Sequence, residues 1–532
     1  MLALSTQGFA QVREAPPAPR FEIQRFVVEG NTLIPQGEVE RLVSPHAGKD
    51  RDFGDVQRAL EALQDAYLER GYNAARVLVP EQDLRAGVVR LQVIEAKIRN
   101  IRVENNKFFD EANVRAGALS VRAGESPNSG EIGRNMQLIN ENPAKNVAVR
   151  LQAVDEPGKV DAVLRVTDER PVKWTLFGDD SGNTQTGRYR VGLGYLNANI
   201  ANRDHVLNAQ VITSPDHLKD VLIFGVGYKI PLYRWNSALD FVAGYSDVDS
   251  GTVQDLFTVS GKGTILSARY SYILARVGAY EQKLSTSWDY RDFRQNVGTP
   301  GGGPSSLGDI TIKPLALSYI GRYARAGYES NLFVTLVQNI PGGEDGNQEA
   351  FTSVRGGATQ VQRAGARASY QILRYGAQAT GAKGGLLLRA AFNGQHTKDV
   401  LIPAEQYGMG GADSVRGYIE RETARDIGHR ASVELYFPEM GEHMGGDWRA
   451  RALVFVDWAR GRDNAPLRDA TQPAKDGLSS LGFGLRLAHA KNFSGRIDFA
   501  HTLSDSGSPQ RLATGSKPRG YDRVHFAVAY TF

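Results

Sequence analysis

The chain is poor in residues placed for covalent chemistry. None of its 532 residues is a cysteine, which excludes thiolate nucleophiles, thiolate metal sites and a disulfide framework. Its nine histidines include no His-Glu-x-x-His and no i,i+4 pair on a helical pattern, and no Gly-x-Ser-x-Gly occurs. Gly408-Met409-Gly410-Gly411 looks like a phosphate cradle, but no strand, loop, lysine and helix surround it, so nucleotide binding is discounted. No catalytic residue, metal site or cofactor is expected. The residues that remain hold rather than react. Val415-Arg416-Gly417-Tyr418 lies in a long segment from Thr397 to Arg430, and Phe455-Val456-Asp457 follows it. A guanidinium carried into a low-dielectric interior requires an anion, and a carboxylate can take it through two parallel bonds. Arg416 and Asp457 are the candidate pair. Arg451 and Arg486 compete for the same carboxylate.

A wall must point Asp457 inward, and the pattern around it supplies one. Ala452, Val454, Val456 and Trp458 alternate with Phe455 and Asp457, so the apolar set faces one side of a strand and the carboxylate the other. Beyond Pro171 the same alternation recurs in segments of about 10 residues broken by Gly, Asn, Asp or Pro, about 16 in all, the even number that single-chain bacterial barrels require. Val191–Leu196, Leu239–Tyr245, Leu386–Phe392 and Leu481–Leu487 are examples. Arg389, Glu434, Arg486, Arg496 and Asp498 fall on the inward side, which makes the interior polar. The last strand places Val524, Phe526, Val528, Tyr530 and Phe532 on one face. A terminal aromatic there resembles the C-terminal assembly signal of outer-membrane barrels, which singles out Tyr530 and Phe532.

Composition agrees with a wall that meets lipid at every second side chain. Mean hydropathy is −0.36, and no apolar run of about 18 residues suggests a membrane helix. A net charge of +4 with scattered basic residues gives no reason to expect nucleic acid. Glycine is abundant, at 58 residues, as tight turns between many strands demand. The loops Gly298–Gly303 and Pro341–Gly346 read as flexible surface connections.

The first 170 residues follow another plan. Met1–Gln11 resembles the tail of a signal peptide, and Ala15–Arg20 is a proline-rich spacer, so residues 1–20 are read as a signal remnant and linker. From Phe21 the order strand, helix, helix, strand, strand occurs twice, over residues 21–96 and 97–170. Phe21–Val28 reads as one strand with an irregularity near Arg25. Val56, Ala59, Leu60, Leu63, Ala66 and Tyr67 share a helical face closed by Gly71. The second copy predicts helices over Asp110–Ala118 and Gly130–Asn140. Arg76, Val77, Leu78 and Val79, and Val147, Ala148 and Val149 in a strand running on to Leu151, read as edges free to pair with an extended peptide.

These segments resemble the polypeptide-transport-associated (POTRA) domain. Phe26-x-Val28-x-Gly30-Asn31, Tyr67-x-x-x-Gly71-Tyr72 and Val93-Ile94-Glu95 match one copy, and Asn140-x-x-Pro143 the other. Val415-Arg416-Gly417-Tyr418 is similar to the tip of the lid loop that folds into the lumen in the BamA-like superfamily, and Phe455-Val456-Asp457 to its inner-wall partner. Phe177-Gly178-Asp179-Asp180 looks like that superfamily's first-strand pattern. Two POTRA-like modules, a barrel over residues 171–532 and the lid together resemble the two-partner secretion transporters, the haemolysin and filamentous-haemagglutinin secretion proteins of Gram-negative bacteria. The resemblance implies a β fold with α+β modules, a 16-stranded antiparallel transmembrane barrel and a location in the bacterial outer membrane with the modules in the periplasm. It implies translocation of an unfolded exoprotein (a haemolysin, adhesin, contact-dependent toxin or metal-acquisition protein), outer-membrane lipid and the barrel-assembly machinery as partners, and a monomer. The alternative is a BamA/TamA-like insertase, whose members usually carry more POTRA modules. Some transporters carry an N-terminal plug helix, and Gln11–Arg20 is too short and proline-rich to be one.

Overall fold

The computed structural model describes residues 20–182, 187–218, 221–246, 252–253, 257–258, 263–294, 308–353, 363–464, 475–506 and 519–532. The signal-like segment before Arg20 and the Gly298–Gly303 loop lie outside them. Contacts divide the chain into two compact units. One comprises residues 1–104, 120–132 and 148–165; the other comprises 105–119, 133–147 and 166–532.

In the first module, Arg25–Glu29 runs parallel to the central strand Val88–Glu95, and Ala75–Leu78 runs antiparallel on its other side. The expected long first strand is broken. The Gly87 carbonyl accepts from both Gln24 N and Arg25 N, which separates Phe21–Ile23 from Arg25–Glu29. The freed piece pairs instead with Gly48–Arg51, a strand of polar residues that hydrophobic alternation could not reveal. Helix Phe53–Glu69 starts in a capping box, with Asp55 N donating to the Asp52 carboxylate and Asp52 N to that of Asp55. It ends before Gly71, whose φ of +87° is the left-handed conformation of a helix stop. Val56, Ala59, Leu63 and Tyr67 bury that helix against Val89, Leu91 and Val93.

The second module repeats the sheet order, with Lys159–Asp168 between Lys97–Glu104 and Lys145–Ala153. Its helices are Glu111–Gly117, capped by the Asp110 side chain, and Ser129–Ile139, whose first turn donates to Asn128 Oδ1.

The barrel begins at Val172. Its closed sheet contains seventeen segments, of which Ile310–Ile312 and Pro314–Arg325 both pair with Tyr280–Phe293 and form one strand interrupted at Lys313. The wall therefore has sixteen antiparallel strands. The interruption has a local cause: Lys313 N donates to the Asn339 side chain at 2.7 Å instead of continuing the ladder. The last strand, Asp522–Thr531, closes on the first, Val172–Asp179. Alternation runs through the wall. Val454, Val456 and Trp458 are exposed on its outer face, while Phe455 and Asp457 between them are buried. Most turns at the end nearest the second module are short, as at Gly384-Gly385, where both residues have positive φ; the connection from Tyr436 to Trp448 is longer. At the far end, between Leu386–His396 and Ile427–Tyr436, the chain makes the longest described excursion, and this segment folds back into the lumen.

Candidate functional site: a luminal lid and two sheet edges

The excursion is a hairpin. Tyr407–Met409 pairs with Thr423–Arg425, and the intervening residues form its tip. Met409, Val415 and Tyr418 pack with Ala459 and Leu478 of the wall in a buried cluster. Tyr418 OH donates to the Ser479 carbonyl at 3.1 Å. This apolar seating brings the Arg416 guanidinium deep inside, where it is 4% exposed.

Arg416 is met by three carboxylates. Nε and Nη2 take Asp457 as a fork at 2.7 and 2.8 Å, and the backbone N–H of Arg416 adds a third bond to Asp457 at 3.1 Å. Nη1 donates to Glu434 at 2.8 Å, and Asp498 lies 3.7 Å away. The guanidinium also lies over the Phe455 ring at 3.4 Å, a cation–π contact that removes the remaining face from water. Gly482 makes room for that ring; a Cβ there would lie 2.5 Å from Phe455 Cζ. Surrounding charges balance the cluster. Arg486 takes Asp498 at 2.8 and 3.0 Å, and Arg389 reaches Glu434 at 3.6 Å. Arg451 pairs with Glu439. The competing partners considered for Asp457 are thus engaged elsewhere.

Gly417 has a φ of +96°, and a Cβ would sit 2.9 Å from Thr502 Cγ2. Its N–H donates to His525 Nε2 at 3.0 Å. That fixes His525 with its proton on Nδ1, facing Asp180 at 3.1 Å, while Phe526 N donates to the same carboxylate. Asp180, just past the first strand, therefore joins the lid tip to the barrel seam. Sequence reasoning gave Glu434 and Asp498 only an inward orientation, and it gave His525 no role. Alternation placed all three on the luminal face but could not say which would converge.

The module edges differ from the expectation of free strands. Gln64 donates to the Ala75 carbonyl at 3.1 Å and accepts from Val77 N at 2.9 Å. The outward groups of that strand are thus already capped, and by antiparallel alternation those of Arg76 and Leu78 face the central strand. Val79 lies beyond the strand. In the second module, Asn140 brackets Val147 in the same way, donating to its carbonyl and accepting from its N–H. Val149 and Leu151 share the outward direction of Val147, and no such side-chain bracket reaches them among the described contacts; Ala148 and Arg150 face the sheet. The side chains responsible, Gln64 on a helix and Asn140 just past one, sit eleven and seven residues before the groups they cap, distances that strand patterning does not read.

A second pair of matching nodes fixes the modules. Glu95 accepts from Thr32 N at 2.7 Å, Leu33 N at 2.9 Å and Tyr67 OH at 2.7 Å, and Tyr67 OH also lies 2.6 Å from Asn31 Oδ1. Burial pushes the Glu95 carboxyl up, but these donors outweigh it and hold it below its ordinary range. In the second copy the matching bonds are to Asp168, which accepts from Lys107 N, Phe108 N and Phe109 N. Where the second module meets the barrel turns, Lys145 donates to Asp204 at 2.6 Å and to Asn113 at 2.7 Å in full burial.

Two family models match the chain. Residues 21–96 match the POTRA domain of ShlB type, and residues 158–487 match the haemolysin secretion/activation protein ShlB/FhaC/HecB. Among curated relatives, the heme/hemopexin transporter protein HuxB of Haemophilus influenzae is 20% identical over 506 residues, covering 93% of this chain and 86% of HuxB. The outer membrane transporter CdiB of Escherichia coli O6:K15:H31 is 29% identical over 185 residues, covering 34% of this chain and 30% of that protein. The solved CdiB from Escherichia coli superposes with a TM-score of 0.75 at 20% identity, covering 99% of this chain and 93% of that one. CdiB from Acinetobacter baumannii gives 0.69 at 14% identity, covering 100% and 94%. Both likenesses are of fold.

Proposed function

The chain belongs to the haemolysin secretion/activation protein family, ShlB/FhaC/HecB, and from that premise we propose that it moves an unfolded partner exoprotein through the outer membrane to the cell surface. It lies in the bacterial outer membrane with residues 21–96 and 97–170 in the periplasm. It acts as a monomer, performs no covalent chemistry and depends on the barrel-assembly machinery for insertion. An extended segment of the exoprotein adds to the second module's edge at Val149 and Leu151, enters the lumen and displaces the lid. The observation that carries this reading is the lid itself. A luminal hairpin whose tip is seated by the buried Arg416 guanidinium against Asp457, Glu434 and Asp498 and by a small apolar cluster is a plug that can let go, because no backbone ladder joins that tip to the wall among the described residues. Val415, Gly417 and Tyr418 shape the tip around that guanidinium, and Phe455 covers it.

The test is secretion of the exoprotein by cells carrying Arg416→Ala. We expect a fall of about tenfold or more while the heat-modifiable barrel is still inserted, since removing one partner of a buried ion pair costs about 3–5 kcal/mol. Secretion at the wild-type level would remove the lid from the mechanism. Loss of unrelated outer-membrane proteins, with secretion intact, would favour the insertase reading instead.

A further inference from the structure

The lid is held in two places, and only one of them contains the Arg416 cluster. We propose that its root, Val400–Gln406 with Asp426, stays fixed to the wall during translocation, and that only Tyr407–Arg425 moves. This rests on the lid reading above and divides it.

The root has a hold of its own. Leu401 and Ile402 are buried in a core with Phe293, Ile310, Phe351 and Tyr370, contributed by two other wall strands and the connection between the ninth and tenth. Val400 forms a bridge with Ala366, and Arg367 N donates to the Val400 carbonyl at 3.1 Å. Glu405, 2% exposed, is gripped by Arg291 at 2.7 Å and Arg374 at 2.8 Å, from separate strands. Gln395 donates to the Glu405 carbonyl at 2.9 Å and to that of Asp426 at 3.2 Å, tying the two ends of the lid together. Asp426, fully buried, accepts from Arg363, Leu401 N and Asn464 N. An apolar core reinforced by buried ion pairs is costly to open.

The tip lacks comparable covering. Its apolar cluster is small, and its charged contacts with the wall, Arg416 with Asp457 and Glu434, Arg425 with Asp476, and Asp413 with Arg496, are separate pairs with no shared apolar core of the root's size around them. Within the moving hairpin, Gly410 and Gly411, with φ of +101° and +110° on one arm, and Arg421, with +50° on the other, also let the tip rearrange against its own stem. Opening is then a movement of the hairpin about a fixed root, not withdrawal of the whole segment.

The absence of native cysteine makes the division directly testable by disulfides formed during periplasmic folding. Ala366→Cys with Val400→Cys joins bridge partners, whose backbones lie about 4.8 Å apart. Gly417→Cys with Ala500→Cys joins the tip to the wall, where the two Cβ positions are 3.4 Å apart. Exoprotein secretion by each full-length variant is compared with and without reductant. The root pair is expected to secrete equally in both states, within about twofold, and the tip pair to be blocked when oxidised and to rise on reduction to the level of the Gly417→Cys single variant, which sets its reference because a side chain at Gly417 is itself strained. A root disulfide that blocks secretion overturns this inference and leaves the lid reading standing. A tip disulfide that secretes freely overturns both. Independently, Glu405→Gln should raise the open-channel fraction in planar bilayers several-fold by loosening the mouth; currents equal to wild type would remove Glu405 from this role.

Discussion

Arg416 shows why a charge can be a latch in a lumen. Its guanidinium spends both edges on carboxylates and one face on Phe455, so a point charge cannot replace it. Arg416→Lys should therefore behave nearly as Arg416→Ala in secretion, despite conserving charge. A lysine variant secreting at the wild-type level would show that charge alone suffices. At the other end of the chain, Glu95 is a structural counterpart. Its folded carboxyl is held below its ordinary value of 4.5, so the stability it contributes is present above that value and is lost as pH falls through the lowered one. Glu95→Gln should lower stability of the first module by about 2 kcal/mol at neutral pH and flatten the loss seen between pH 7 and pH 3. The first thermal transition of the full chain in detergent, followed by circular dichroism, reports both. An unchanged acid slope would place the titrating group elsewhere.

At the scale of elements, the sheet edges decide where an exoprotein can add. Because Leu78 turns its backbone inward, proline there would damage the module's own sheet, and a loss of binding would carry no information about the edge. Val149→Pro removes an outward N–H while sparing the inward ladder. It should weaken binding of the exoprotein's N-terminal domain by about tenfold, the worth of one or two hydrogen bonds. Equal affinity by titration calorimetry would move the contact to another surface. Elements were largely legible from sequence where periodicity rules: the long helix Phe53–Glu69, the central strand Val88–Glu95 and the alternating wall. They were not legible where a polar side chain replaces a ladder bond. Asn339 interrupting a barrel strand at Lys313, Gln64 and Asn140 covering edges, and the polar strand Gly48–Arg51 all leave hydrophobic patterning silent. The site divides the same way. Alternation pointed Asp457 inward, and a motif drew attention to Arg416, but the convergence of Glu434, Asp498 and His525 depends on how sixteen strands close.

That closure belongs to the barrel as a whole. The seam between last and first strands has only five register pairs, Ala527↔Asp179 to Thr531↔Thr175. It is extended by a reciprocal pair of bonds at 2.9 Å each, Trp174 N to the Phe532 carbonyl and Phe532 N to the Trp174 carbonyl. On the outer face at this end, Trp174 packs on Tyr195 and Tyr530 on Phe532, with ring centroids 4.7 and 6.2 Å apart, an aromatic girdle of the kind that sits at a membrane interface. Phe532 thus does two jobs, as the last rung of the shortest described seam and as part of the belt. At the other end of the seam, Asp180 bonds His525 and Phe526, and His525 bonds the lid. Deleting Phe532 should reduce heat-modifiable barrel in the outer membrane several-fold. The molecules that do assemble should unfold in detergent at a lower temperature, since the two terminal rungs are lost. Phe532→Tyr keeps the rungs and the ring and should assemble normally. If deletion left both yield and melting unchanged, the seam would be held by Ala527–Thr531 and the Asp180 bonds alone, and the terminal aromatic would have no part in closing the barrel.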